Sequence, residues 1–166
     1  MTQIQPNTAG SRDAWEIHAD ERPLAAMLGQ VHEAAIKELH GRLAGEGYPE
    51  IRPGHGCVFR FIEADGSRLT EIAARAQMTK QAVGEVVADL ERLGYLERVP
   101  DPDDGRAKII RLSERGWEGQ AVALRIFADI ERRWAGALGE ERIAELRRTT
   151  EQILELGPQY TSATDR

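Results

Sequence analysis

The chain has 166 residues, 41% of them hydrophobic and 30% charged, and a formal net charge of −6. That is the composition of one ordinary globular domain with its own core. No apolar run reaches the ~20 residues of a membrane span, MTQIQPNTAGSRDAWE is not a secretory leader, and the lone Cys57 excludes an internal disulfide and a Cys-rich zinc site.

A reducing, cytoplasmic location is expected. The acidic balance argues against a non-specific polyanion binder, but the charge is unevenly spread. Residues 68–115 hold nine basic and nine acidic residues, so the whole −6 lies outside them.

Residues 1–22 are polar and read as a flexible arm, residues 23–157 as a single domain, and 158–166 as a tail. From Leu24 an apolar stripe runs at helical spacing through Met27, Leu28, Val31, Ala35, Leu39 and Leu43. Pro23 suits its first turn, and Gly45 and Gly47 are stop signals. PGHGCVFRFI (53–62) reads as a shorter helix, weakened by Gly54 and Gly56, and EADGS breaks the chain.

LTEIAARAQ (69–77) is a short helix with Leu69, Ile72 and Ala73 facing inward. MTKQAVGEVVADLERLG (78–94) is a second, with Thr79 at the N-cap and Gly94 at the end. A tight join between two such helices is the helix-turn-helix pattern. YLERV (95–99) and AKIIRL (107–112) are β-rich and flank PDPDDGR. Ile110 and Leu112 share one face, Pro100 and Pro102 stiffen the turn, and Gly105 permits a positive φ. The fold class is mostly α with a small β-hairpin wing: a winged helix-turn-helix over 53–112, with terminal dimerisation helices over 23–47 and 113–157.

Ser113 caps a long helix whose stripe is Trp117, Ala121, Leu124, Ala128, Ala135 and Leu138, widened by Phe127, Ile130 and Trp134. Gly139 interrupts it, and Ile143, Leu146, Ile153 and Leu154 continue the pattern. A small winged-helix core does not need stripes of this size, so both ends are expected to meet a second copy in a homodimer.

Residues 69–116, LTEIAARAQMTKQAVGEVVADLERLGYLERVPDPDDGRAKIIRLSERG, resemble the MarR family of bacterial transcription regulators. The family's wing pattern is Asp-x-Arg, five residues, Leu-Thr or Leu-Ser, two residues, Gly. Asp104, Gly105, Arg106, AKIIR, Leu112, Ser113 and Gly116 meet it at every position, and LERLGYLER matches the family's junction of recognition helix and wing. The resemblance implies an obligate homodimer on double-stranded DNA. Recognition helices would enter the major grooves of a pseudo-palindromic operator, and wings the adjacent minor grooves. It further implies a repressor released by a small aromatic anion. Gly84 and Glu85 depart from the basic or hydroxyl residues common in relatives, and Asp101 and Asp103 are extra wing acids expected to weaken non-specific affinity.

Arg106 in the Asp-x-Arg register is expected in the narrow minor groove, with Asp104 holding its guanidinium in one rotamer. Lys80 and Gln81 lie in the first turn of the recognition helix, where base edges are met; Glu85 could accept from cytosine N4. Thr70 and Thr79 read as phosphate contacts or N-caps. Lys108 joins the wing cations, and Arg68, Arg75 and Arg98 are further phosphate candidates. His32, His55, Phe59 and Trp117 are the expected ligand pocket. Cys57 reads as a core residue, with a thiol-based redox sensor as the alternative. A winged-helix interaction module without DNA binding is the other alternative. His32, His40 and His55 lack metal-ligand spacing, and no cofactor and no catalytic constellation is expected.

Overall fold

The computed structural model describes residues 22–157. Most of the expected arm, Trp15 with it, and the expected tail lie outside the described residues. The chain divides into two units, Met1–Lys37 and Glu38–Arg166.

Helix α1 (Leu24–Gly45) begins just after Pro23, whose carbonyl accepts from the N–H groups of Ala26 and Met27. Pro23 therefore stands outside the first turn rather than in it. In the first unit Leu24, Met27 and Val31 are exposed. In the second unit Leu39 and Leu43 are buried. There Arg42 reaches Asp129 at 2.6 Å and Glu38 meets Arg133 at 2.5 Å, tying the end of α1 to α5 (Glu114–Leu138).

The single helix expected over 53–62 is shorter. A 3₁₀ turn (Pro53–His55) runs into a four-residue helix α2 (Gly56–Phe59). The Arg52 N–H donates to His55 Nδ1 at 3.2 Å, which tightens the first turn, and two glycines supply no side chain to prolong it.

Helices α3 (Leu69–Ala76) and α4 (Lys80–Arg92) form the helix-turn-helix, with Gln77 left-handed at φ 53° between them. Val83, Val87 and Leu90 of α4 are fully buried, each contributing about 1.5–3 kcal/mol. That inner face seats the helix and leaves Lys80, Gln81 and Glu85 exposed.

The wing carries more than a hairpin. Strands β2 (Leu96–Pro100) and β3 (Lys108–Leu112) pair antiparallel, and a two-residue strand β1 (Ser67–Arg68) adds to the other edge of β3, in the order β1-β3-β2. Ser67 opposes Ile110 and Arg68 opposes Ile109. Gly66 precedes β1 at φ +92°, and a Cβ there would stand 2.4 Å from Ile109 Cγ2. Only glycine lets the chain turn so close to β3. Ile110 and Leu112 are both buried, as their spacing predicts. Gly105 does not take a positive φ; hydrogen bonds to Asp101 and Asp104 hold that turn instead.

Helix α5 is capped by Ser113, whose Oγ accepts from the Gly116 N–H at 3.1 Å. It buries Ile126 and Ile130 and exposes Trp117, Leu124 and Leu138. Helix α6 (Glu140–Glu155) follows Gly139 and buries no residue.

Candidate nucleic-acid interface

Thr79 begins the recognition helix as its N-cap, with Oγ1 accepting from the Ala82 N–H at 3.2 Å. Lys80 and Gln81 follow in the first turn, and Gln81 Nε2 donates to Glu85 Oε1 one turn on, at 3.4 Å. Thr70 lies in the first turn of α3. Asp104 and Arg106 lie in the wing turn, and Lys108 opens β3 opposite Pro100. All eight of these residues are exposed.

The cations of residues 68–115 fall into two sets. Six of the nine are spent inside the protein. Arg68 pairs with Asp101, Arg75 with Glu63, Arg92 with Asp89, Arg98 with Glu91, Arg111 with Glu97 and Arg115 with Glu50. The other three are Lys80, Arg106 and Lys108, which enter no ion pair among the described residues. A cation already matched to a carboxylate presents little net charge to a phosphate, whereas an unmatched one breaks nothing on binding. Arg68, Arg75 and Arg98, named above as phosphate candidates, all belong to the spent set.

Two details of the wing differ from expectation. Asp104 does not hold the Arg106 guanidinium; its Oδ1 accepts from the Arg106 backbone N–H at 3.1 Å. The short Asp side chain closes the turn on its own backbone, as Asx residues do. Asp101 is not a solvent-facing acid. Its side chain is only 3% exposed, and Oδ2 takes Arg68 Nε at 2.6 Å while Oδ1 accepts from the Asp103 N–H at 2.9 Å. The Asp103 N–H and Arg68 together hold its carboxyl below the usual carboxylate range.

Residues 51–107 match the model described as the MarR family. Over that stretch the chain carries the sequence pattern of the MarR family. It is 32% identical over 80 residues to the HTH-type transcriptional regulator YdcH of Bacillus subtilis, across 47% of this chain and 54% of that protein. The chain thus spans about half the length of that curated relative. Its fold is that of the reduced form of MarR from E. coli, with a TM-score of 0.67 and 18% identity over 80% of this chain and 97% of that one. It is also that of S. aureus MepR in its DNA complex, with a TM-score of 0.64 and 21% identity over 81% and 98%.

Of the residues expected to form a ligand pocket, His55, Phe59 and Trp117 have separate surroundings. His32 is exposed on α1. His55 is buried, and its Nε2 donates to Asp89 Oδ2 at 3.1 Å while its Nδ1 accepts from the Arg52 N–H. Both ring nitrogens are satisfied only in the neutral form, and burial pushes the imidazole below its ordinary value. Asp89 is held down to about 2 by Arg92, with His55 and Arg52 adding to it. Phe59 meets Tyr95 edge-on, with ring centroids 6.4 Å apart, and Trp117 is 46% exposed. No hydrogen bond or aromatic contact joins any two of His55, Phe59 and Trp117 among the described residues. Cys57 is half-buried, its Sγ donating to Gly54 O at 3.2 Å, and burial pushes its thiol up, away from the reactive thiolate.

Among the described residues no group of three or more His, Cys, Asp or Glu could hold a metal ion. No helix among them is long and apolar enough to cross a membrane.

Proposed function

We propose that this chain is a homodimeric DNA-binding transcription regulator, a repressor of a pseudo-palindromic operator. The observation that carries the reading is the division of the cations. Of the nine cations in residues 68–115, only Lys80, Arg106 and Lys108 enter no ion pair among the described residues, and they stand at the start of the recognition helix and in the wing. Those are the two elements that a winged helix-turn-helix brings to the major and minor grooves. The match of residues 51–107 to the MarR-family model and the fold shared with MepR, which has been solved as a DNA complex, support it. The second copy is supported by α6, which buries nothing of its own and exposes Leu146, Ile153 and Leu154. Release by a small aromatic anion completes the reading. The exposed ring of Trp117 offers a surface for stacking, and MepR, solved bound to ethidium bromide, takes an aromatic ligand, in that case a cation.

Fluorescence anisotropy with the DNA upstream of the chain's own gene tests this across a salt series. Lys80→Ala and Arg106→Ala should each weaken binding and flatten the salt dependence by about one counterion per protomer. Arg98→Ala and Arg111→Ala should leave the slope unchanged. Equal effects from all four variants, or no binding by the unaltered chain, would remove the reading. Salicylate that neither stabilises the protein nor releases the DNA would remove the effector part alone.

A further inference from the structure

We propose that the Arg68–Asp101 pair sets the position of the wing tip relative to the recognition helix, so that Asp101 strengthens DNA binding although its charge opposes it. The inference rests on the DNA-binding reading above and names a positioning residue for it.

Asp101 is an acid in a turn whose neighbours Pro102, Asp103, Asp104, Gly105 and Arg106 are all exposed, yet it is buried itself. Both carboxylate oxygens are in use. Oδ2 receives Arg68 through Nε and through a second guanidinium nitrogen at 2.5 Å, and Oδ1 receives the Asp103 N–H. The Asp101 N–H donates to Ala107 O at 3.2 Å, the Ala107 N–H to Asp104 O at 2.8 Å, and the Arg106 N–H to Asp104 Oδ1. Every link from Arg68 to Arg106 is therefore a hydrogen bond or a peptide bond.

Arg68 is itself anchored at the other end. It is the N-cap residue of α3, its N–H donates to Glu71 Oε2 at 2.9 Å, and it opposes Ile109 in the sheet. Helix α3 leads through Gln77, Met78 and Thr79 into Lys80. The wing tip and the start of the recognition helix thus share one frame. Apart from this pair, the edge of the wing is held to β1 by only two residue pairs.

A reader that engages two grooves gains from having their separation fixed beforehand. Once one element is seated, the other binds as an intramolecular contact, and no further entropy is spent on ordering it. The charge of Asp101 costs little at a distance, because Arg68 neutralises it.

The test uses the full chain and a duplex that the unaltered chain recovers from a random pool. Asp101→Asn preserves shape and deletes a negative charge near DNA, so electrostatics alone calls for tighter binding. Positioning calls for binding weaker by about tenfold. In the Arg106→Ala background the same substitution should cost less than about twofold, since there is no tip contact left to position. In the Lys80→Ala background it should keep its full cost. Reversing the pair, with Arg68→Asp and Asp101→Arg together, should recover most of the loss.

Tighter binding by Asp101→Asn, or the same cost in both backgrounds, would overturn the inference while leaving the DNA-binding reading intact. If the unaltered chain recovers no duplex, that reading fails on its own, and hydrogen exchange then decides the tether. Asp101→Asn should speed exchange at the amides of Asp103, Arg106 and Ala107 and leave α4 unchanged; no acceleration overturns it.

Discussion

The Tyr95 hydroxyl donates to Glu50 Oε2 at 2.9 Å, and Arg115 lies over the Tyr95 ring at 4.6 Å while reaching the same Glu50 oxygen at 3.2 Å. Arg115 also donates to Leu93 O, at the end of α4. One fully buried ring thereby joins the loop before the 3₁₀ turn, the end of the recognition helix and the first turn of α5. Burial and the hydrogen bond to Glu50 push the phenol up to about 12, so the hydroxyl stays a donor throughout the physiological range.

Tyr95→Phe should cost about 0.5–1.5 kcal/mol, because Glu50 keeps Arg115 as a partner. Tyr95→Ala should cost about 3–5 kcal/mol, as an aromatic cavity does. Urea unfolding of the two variants checks the difference; equal losses would mean that the hydroxyl, not the ring, carries the joint.

Gly116→Ala should destabilise despite alanine's preference for helices. A Cβ at Gly116 would sit 2.1 Å from Tyr95 O, a backbone atom that cannot swing aside. Overpacking of this kind costs about 1–3 kcal/mol or more, against the ~1 kcal/mol that alanine returns in a helix. A lower thermal midpoint is the expected result.

Stability should fall on mild acidification, through His55. Its folded pKa lies below the unfolded value of about 6.5. The unfolded state therefore binds the proton first, and the contribution is complete above that value and lost as pH falls through the folded pKa. Asp89 and Asp101 are also depressed, but they act only below the carboxylate range, about 4. Unfolding free energies between about pH 7 and pH 4 should decline, and His55→Gln should flatten that limb.

Assembly should show as twice the chain mass of 18.5 kDa by light scattering. Leu146→Lys and Leu154→Lys, on a helix with no buried face of its own, should shift the protein towards the monomer. A stable monomer of the unaltered chain would remove the two-site operator with it.

Much of the fold was legible because it rests on local chemistry. Thr79 and Ser113 cap the helices that their spacing predicts, and Ile110 and Leu112 face inward as a half-buried strand requires. Strand β1 was not legible: two residues carry no period, and their pairing with β3 spans more than forty positions. The same holds for the interface. Lys80, Arg106 and Lys108 could be named from their register, and all three are exposed. What Arg68, Arg98 and Arg111 do instead depends on partners such as Asp101, 33 residues from Arg68. No local pattern marks such a pair, so a buried acid read as a loose charge. The partner of His55 was not legible for the same reason, since Asp89 lies 34 residues away.

Arg68 belongs to two elements at once, a rung of the sheet and the entry to α3. Parting β1 from β3 therefore also unseats the start of the helix-turn-helix, and neither can open alone. The lobe should lose its amide protection as one cooperative block. Loss of the β1–β3 pairing would then act in the cell through fewer intact molecules, whereas a change confined to the wing tip leaves α4 seated.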